Sequence, residues 1–184
     1  QGGVFEQIPQ WMKDRIPGFR GHMWAPDIIY HNGEYHLYYS CSTFGKNRSF
    51  IGHAVNKTLD RSSQEYKWED RGVVVESIPE RDQWNAIDPN VIIDNEGKGW
   101  FSFGSFWSGI KLFGLNEDLS KPKEPQEWIT IATRDRAESR ENAIEAPFIY
   151  KRGEYYYLFV SIDFCCRGRN STYRMVVGRS KDIK

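Results

Sequence analysis

Trp24-Ala25-Pro26-Asp27-Ile28-Ile29, Ile87-Asp88-Pro89-Asn90-Val91-Ile92 and Ile144-Glu145-Ala146-Pro147-Phe148-Ile149 are three versions of one pattern. In each, a short acidic or aromatic motif meets a proline, then continues into a strand, a Gly-containing turn and a second strand. The prolines recur about 60 residues apart. Self-similarity at that period marks a repeat architecture, and the four-stranded blades of an all-β propeller fit it best. An ordinary β-sandwich is the competing reading. Two of the copies carry a carboxylate at the equivalent place, Asp88 and Glu145.

Alternation of Tyr, Phe, Ile and Val with turn residues sets the expected strands. The first module predicts strands over residues 28–30, 35–42, 50–56 and 68–75, with a turn at His31-Asn32-Gly33. The second predicts 90–93, 99–103, 109–115 and 128–131. The third predicts 148–150, 155–162 and 173–180, and then stops short of a fourth strand. Helix signals are scarce: residues 7–15, bounded by Pro9 and Pro17, hold at most a short turn. Val4-Phe5 reads as the last strand of an earlier blade, and 133–141 as a solvated loop. The expected organisation is a single propeller segment, 1–184. It comprises the tail of a preceding blade (1–21), two blades (22–76 and 77–132) and an incomplete one (133–184). A propeller closes its ring to remove sheet edges. Three modules with ragged ends do not close, so the expectation is a fragment whose open edges offer a route to self-association.

Composition narrows the function classes. Lys and Arg total 25 against 25 Asp and Glu, with no basic stripe, which argues against nucleic acid. No run of roughly eighteen apolar residues and no lipidation signal stands out, so no membrane span is expected. No signal peptide is visible; the chain begins at Gln1 rather than Met, which is compatible with removal of a leader. The three cysteines have neither zinc spacing nor histidine neighbours, and no metal site is expected from them. Cys165 and Cys166 read equally well as a vicinal disulfide or as two buried thiols.

Paired carboxylates on a propeller rim, among aromatics, suit glycoside hydrolysis. A protonated carboxyl delivers a proton to the leaving oxygen while a second carboxylate activates water or attacks. Asp88 lies in Asn85-Ala86-Ile87-Asp88-Pro89-Asn90. Glu145 lies in Asn142-Ala143-Ile144-Glu145-Ala146-Pro147, where apolar neighbours disfavour charge. An acidic residue ahead of a proline is also commonly a turn or a cap.

The stretches WAPDIIYHNGEYHLYYSCSTFGKN (24–47), NAIDPN (85–90), FGSFWSGIKL (103–112), IEAPFI (144–149) and DFCCRGRNSTYRMVVGRS (163–180) resemble the endo-α-1,5-L-arabinanases of glycoside hydrolase family 43. The resemblance runs in order over almost the whole chain. It implies a five-bladed propeller that hydrolyses arabinan with inversion, using three acidic residues. By motif, Glu145 takes the place of the general acid and Asp88 that of the group tuning the acid's pKa. The general-base Asp of the family belongs to an Asp-Pro motif upstream of the part matching Val4-Phe5, and is expected outside this chain. Asp27 and Asp163 are expected to be structural, and His22 to have a surface or packing role.

Sugar binding needs apolar platforms beside hydrogen-bond donors. By resemblance Trp24, Phe44, Asn85, Ile87, Phe106, Trp107 and Ser108 line the groove, although aromatics next to turns also serve as plugs between blades. Arg167 and Asn170 either frame the site or brace a loop. The implied partner is arabinan or arabino-oligosaccharides, and the implied location is secreted or periplasmic. No cofactor is expected in this chain; the calcium or sodium ion of the complete family fold belongs with a histidine-bearing blade outside it. Endo and exo action stay open. The rival reading is a catalytically incomplete propeller fragment that binds arabinan.

Overall fold

The structure, a computed structural model, describes residues 3–135 and 142–184. Three antiparallel sheets follow one another along the chain. Blade one comprises β1 (Met23–His31), β2 (Glu34–Cys41), β3 (Ser49–Asn56) and β4 (Glu69–Ser77), paired in sequence order. Blade two comprises β5 (Asn90–Ile93), β6 (Gly99–Phe103), β7 (Ile110–Gly114) and β8 (Ile129–Ala132), again in order. Blade three has β9 (Ile144–Arg152), β10 (Tyr155–Ile162) and β11 (Arg174–Ser180). The first strands β1, β5 and β9 lie against one another in turn, so the blades radiate from a shared inner edge. These are three blades of a β-propeller.

Local sequence explains the hairpins. Asn32 and Gly33 turn β1 into β2 with φ of 49° and 88°, the left-handed pair that a two-residue hairpin needs. Both faces of blade one are then buried by the alternation of β2 and β3. Tyr38 and Ile51 face blade two, packing with Val91, Phe101, Phe103 and Phe113. The Tyr38 hydroxyl donates across that seam to the Leu119 carbonyl at 2.9 Å. Tyr39, Cys41 and Phe50 face the other way, onto Met12 and Ile16. Gly52 is required beneath Tyr39, because a Cβ there would sit 2.4 Å from its ring. A smaller cluster of Ile110, Ile144 and Val160 joins blades two and three.

A polar tie accompanies each apolar seam on the inner strands. Asp27, the residue after Pro26, accepts the Val91 N–H at 2.7 Å and the Asn90 amide at 3.3 Å. Asn90, the residue after Pro89, accepts the Ile149 N–H at 2.8 Å. The same step of the repeat thus supplies an acceptor for the next blade's inner strand. In blade three the step is Phe148, which has no acceptor and is exposed.

Several strand expectations coincide with the structure, among them 90–93, 99–103 and 155–162. Others shift for physical reasons. β1 and β9 start well upstream of their prolines because a bulge absorbs Ala25 and Ala146, at φ 41° and 53°. Blade two reaches its proline one residue sooner, Asn85 to Pro89 against Asn142 to Pro147. Asp88 and Glu145 are therefore equivalent counted from Asn-Ala-Ile but one step apart counted from the proline, which corrects the simple equivalence. Val4-Phe5 forms no strand. Residues 3–22 instead bring a six-residue helix, α1 (Gln10–Arg15), onto blade one, held by Trp11 to Asp70 at 2.6 Å and Arg15 to Glu76 at 2.7 Å. The solvated-loop reading of 133–141 also fails at Arg134, which is half-buried and paired with Asp163; residues 136–141 lie outside the described residues.

The tie at Asp27 yields a direct test. Asp27→Ala leaves a buried N–H without its acceptor and is expected to lower stability in urea unfolding by about 1–3 kcal/mol. Asp27→Asn retains an acceptor oxygen and is expected to lose much less. Equal losses would show that the bond to Val91 contributes little.

Candidate active site

The inner ends of blades two and three bring Asp88 and Glu145 together. Asp88 sits at φ 59°, immediately before Pro89, where the chain enters β5. Its backbone N–H donates to Ser40 Oγ of blade one at 2.9 Å. Its carboxylate crosses to blade three, accepting the Ala146 N–H on Oδ2 at 3.1 Å. Asp88 is thereby held by both neighbouring blades. Pro89 fixes the direction in which the strand leaves.

Glu145 lies on β9, directly opposite Ser161 of β10. On its other side it forms an isolated bridge with Ser105, from the connection between β6 and β7. The Ser105 hydroxyl donates to Glu145 Oε2 at 2.7 Å. Tyr173, just ahead of β11, brings its phenol to the side chains of Glu145 and Ser161. Burial, with the nearby Glu145 and Asp88 charges, pushes that phenol up, so it stays a neutral donor.

Electrostatics make the carboxyls a coupled pair. Burial pushes Asp88 up to about 7, and the Glu145 charge adds to this, while the Ala146 N–H pulls the other way. Asp88 therefore retains its proton toward neutral pH, beside Glu145. Such a site can donate a proton at a pH where an isolated carboxyl is already ionised.

The remaining candidates fall into two groups. Phe106, Trp107 and Ser108 share the Ser105 connection, closed by Gly109 N–H to the Phe106 carbonyl at 2.8 Å. Phe106 and Trp107 hold φ of 57° and 41°, and the Phe106 N–H bonds the Ile144 carbonyl next to Glu145 at 2.8 Å. The Phe106 ring lies 6.2 Å from that of Phe164, over which the Arg167 guanidinium stacks at 4.1 Å. Ser108 spends its hydroxyl on the Gln83 carbonyl. The Trp107 carbonyl receives the Asn142 amide.

The other four lie outside this turn, although the Ile87 carbonyl accepts its Gly104 N–H at 2.9 Å and Trp24 is paired opposite Ser40. Asn85 is 4% exposed and accepts from Ser49, and Ile87 is 8% exposed, so both brace the Asp88 approach from within the fold. Trp24 lines an apolar hollow of about 340 Å³ with Phe5, Pro26, Leu37 and Tyr39, which neither carboxylate lines. Phe44 stands exposed between β2 and β3. A larger hollow of about 760 Å³ lies between the β5–β6 turn and the β7–β8 connection, again without either carboxylate. Cavity volume is a poor guide here, because the pair stands on the inner edge of the sheets.

Asp27 is occupied by Val91 and Asn90, and burial pushes its carboxyl up. Asp163 is taken by Arg134 and Arg174, which hold its carboxyl down. His22 is exposed. Cys165 and Cys166 form a disulfide, and Cys41 is a buried thiol. Among the described residues no group of three or more His, Cys, Asp and Glu is arranged to hold a metal ion. Ser40, Ser105, Ser161 and Tyr173 were not legible as site residues. Ser105 alone had a signal, its place in the Gly104–Gly109 turn.

A raised carboxyl binds its proton more tightly folded than unfolded. Its contribution is fully present below the unfolded value near 4 and is lost as pH rises toward 7. Relative to Asp88→Asn, the parent chain is expected to lose roughly 1–2 kcal/mol of stability between those limits, the figure being discounted for the partly open carboxyl edge. Urea unfolding across that range checks it, and parallel curves would refute the raised titration.

Residues 4–184 match the family described as glycosyl hydrolases family 43. The extracellular exo-α-(1→5)-L-arabinofuranosidase of Cellvibrio japonicus (strain Ueda107) is 56% identical over 98% of this chain and 54% of its own length. The extracellular endo-α-(1→5)-L-arabinanase 1 of Bacillus subtilis (strain 168) is 42% identical over 100% of this chain and 54% of its own. The α-L-arabinanase of Cellvibrio cellulosa, solved in complex with arabinohexaose, superposes with a TM-score of 0.92 at 54% identity, covering 98% of this chain and 59% of that one. The chain spans about half the length of the curated relatives it matches. With the repeat, the sheets and the carboxyl pair in agreement, the chain belongs to glycosyl hydrolases family 43.

Proposed function

We propose that this chain supplies the proton-donating part of an enzyme that cleaves α-1,5-linked L-arabinofuranosyl bonds in arabinan with inversion. The observation that carries the reading is the Asp88–Glu145 pair, brought together from two blades, with burial and then the Glu145 charge pushing the Asp88 carboxyl up to about 7. In this reading Glu145 is the general acid and protonates the departing O5. Asp88 tunes it. Its Oδ2 accepts the Ala146 N–H, a bond that favours the Asp88 anion. A carboxylate anion at Asp88, close to Glu145, favours the neutral, proton-donating form of its neighbour.

The water-activating base comes from outside these 184 residues. Two observations support this: the relatives are nearly twice as long, and both Asp27 and Asp163 are already engaged. Phe106, Trp107 and Ser108, on the connection that carries Ser105, contact the reacting sugars, together with Trp24, paired opposite Ser40, and the exposed Phe44. Asn85 and Ile87 act through the placement of Asp88. The Cellvibrio japonicus and Bacillus subtilis relatives are named extracellular, which supports a secreted or periplasmic location for the whole protein.

Glu145→Ala, made in the polypeptide that includes its remaining blades, is expected to lower reducing-sugar release from linear arabinan by about 10²–10⁴-fold. Retained activity would sink the assignment. The same assay on the 184-residue chain, beside an arabinan-binding isotherm, separates the hydrolase from the binding-only reading: without the base, binding is expected and release is not.

A further inference from the structure

Glu145 is contacted from two directions by groups that the acid–modulator pairing does not use. Ser105 reaches it from blade two, through both the 2.7 Å hydroxyl bond to Oε2 and the backbone bridge. Ser161, directly opposite on β10, and Tyr173 beside it reach it from blade three. Ser105 is 3% exposed, and its connection is fastened to β9 by the Phe106 N–H on the Ile144 carbonyl at 2.8 Å. The hydroxyl is therefore delivered by rigid backbone, one residue away from a hydrogen bond to Glu145's own neighbour.

We propose that Ser105 and Tyr173 are positioning residues that form a two-blade hydroxyl clamp on Glu145 and fix its carboxyl against Asp88. The inference rests on the reading of Asp88 and Glu145 as the acid pair. Hydroxyl groups that donate to a carboxylate stabilise its anion. So held, Glu145 keeps its charge close to Asp88, where it disfavours the Asp88 anion. Ser105 holds the resting geometry, and Tyr173, 40% exposed, is the half of the clamp that a sugar can reach. The clamp also explains why the Gly104–Gly109 turn keeps Phe106 and Trp107 in left-handed conformations: straightening it would withdraw Ser105 from Glu145.

The test is a titration of the Asp88 carboxyl by ¹³C NMR in the 184-residue chain. Among the described residues, the titratable group acting on Asp88 is Glu145, and both carboxyls act on the neutral Tyr173 phenol. Ser105→Ala with Tyr173→Phe removes the hydroxyls that hold Glu145, so its charge is free to move away from Asp88. The Asp88 midpoint is then expected to fall by about half a pH unit or more from its parent value. Tyr173→Phe alone, which alters a half-exposed ring by one oxygen, is expected to give part of the shift. An Asp88 midpoint unchanged in folded variants, judged by an unaltered thermal transition, would overturn the clamp. Because the readout needs no turnover, its failure is distinct from a failure to release sugar from arabinan, which would bear on the function alone.

Discussion

The constraint on which the structure depends is a side-chain oxygen that crosses from the inner strand of one blade to a backbone N–H of the next. Radiating sheets leave the first backbone groups of each inner strand without a partner in their own blade, and a buried orphan there costs about 1–3 kcal/mol. Asp27 answers Val91, and Asn90 answers Ile149. The apolar seams of Tyr38, Phe101 and Phe113, and of Ile110, Ile144 and Val160, then close around fixed inner edges. Packing supplies most of the stabilisation, and the polar ties set the register in which packing occurs.

The acid pair is a variation on that device. Asp88 performs the same crossing one turn earlier, its Oδ2 on the Ala146 N–H. Blade one has Ala25 where a matching carboxylate would stand, so the Asp88 N–H is met by Ser40 instead. One residue inserted in blade three, Ala146, places Glu145 on the strand side of the bulge while Asp88 stays at the turn. The two carboxyls thus approach from different backbone settings, one at φ 59° and one in paired β structure. The structural tie runs through the same Asp88 carboxyl that stands beside Glu145, so removing the tie also removes that neighbour.

Much of this was legible in the residues. The proline repeat gave the blades and the inner-edge location of both carboxylates. Asn32-Gly33 gave the first hairpin, and Asp27 was read as structural. What stayed hidden depended on contacts distant in sequence. The bulges at Ala25 and Ala146 carry no composition signal, and their consequence, a one-step offset between Asp88 and Glu145, emerges only when strands are paired. Val4-Phe5 has strand-forming residues but no partner strand, and Pro9 and Pro17 frame a helix that packs on blade one instead. Arg134 looked like part of a charged run until Asp163, far along the chain, took it up. Ser105 and Tyr173 are ordinary residues by type, and only the meeting of two blades brings them to Glu145.

The central claim is that Glu145 acts on a buried Asp88 carboxyl, and the Asp88 midpoint in Glu145→Gln tests it most directly. The account predicts a parent midpoint near 7 that falls by about one unit or more when the neighbouring charge is removed. A parent midpoint near 4, or one that stays where it was after the substitution, would contradict it.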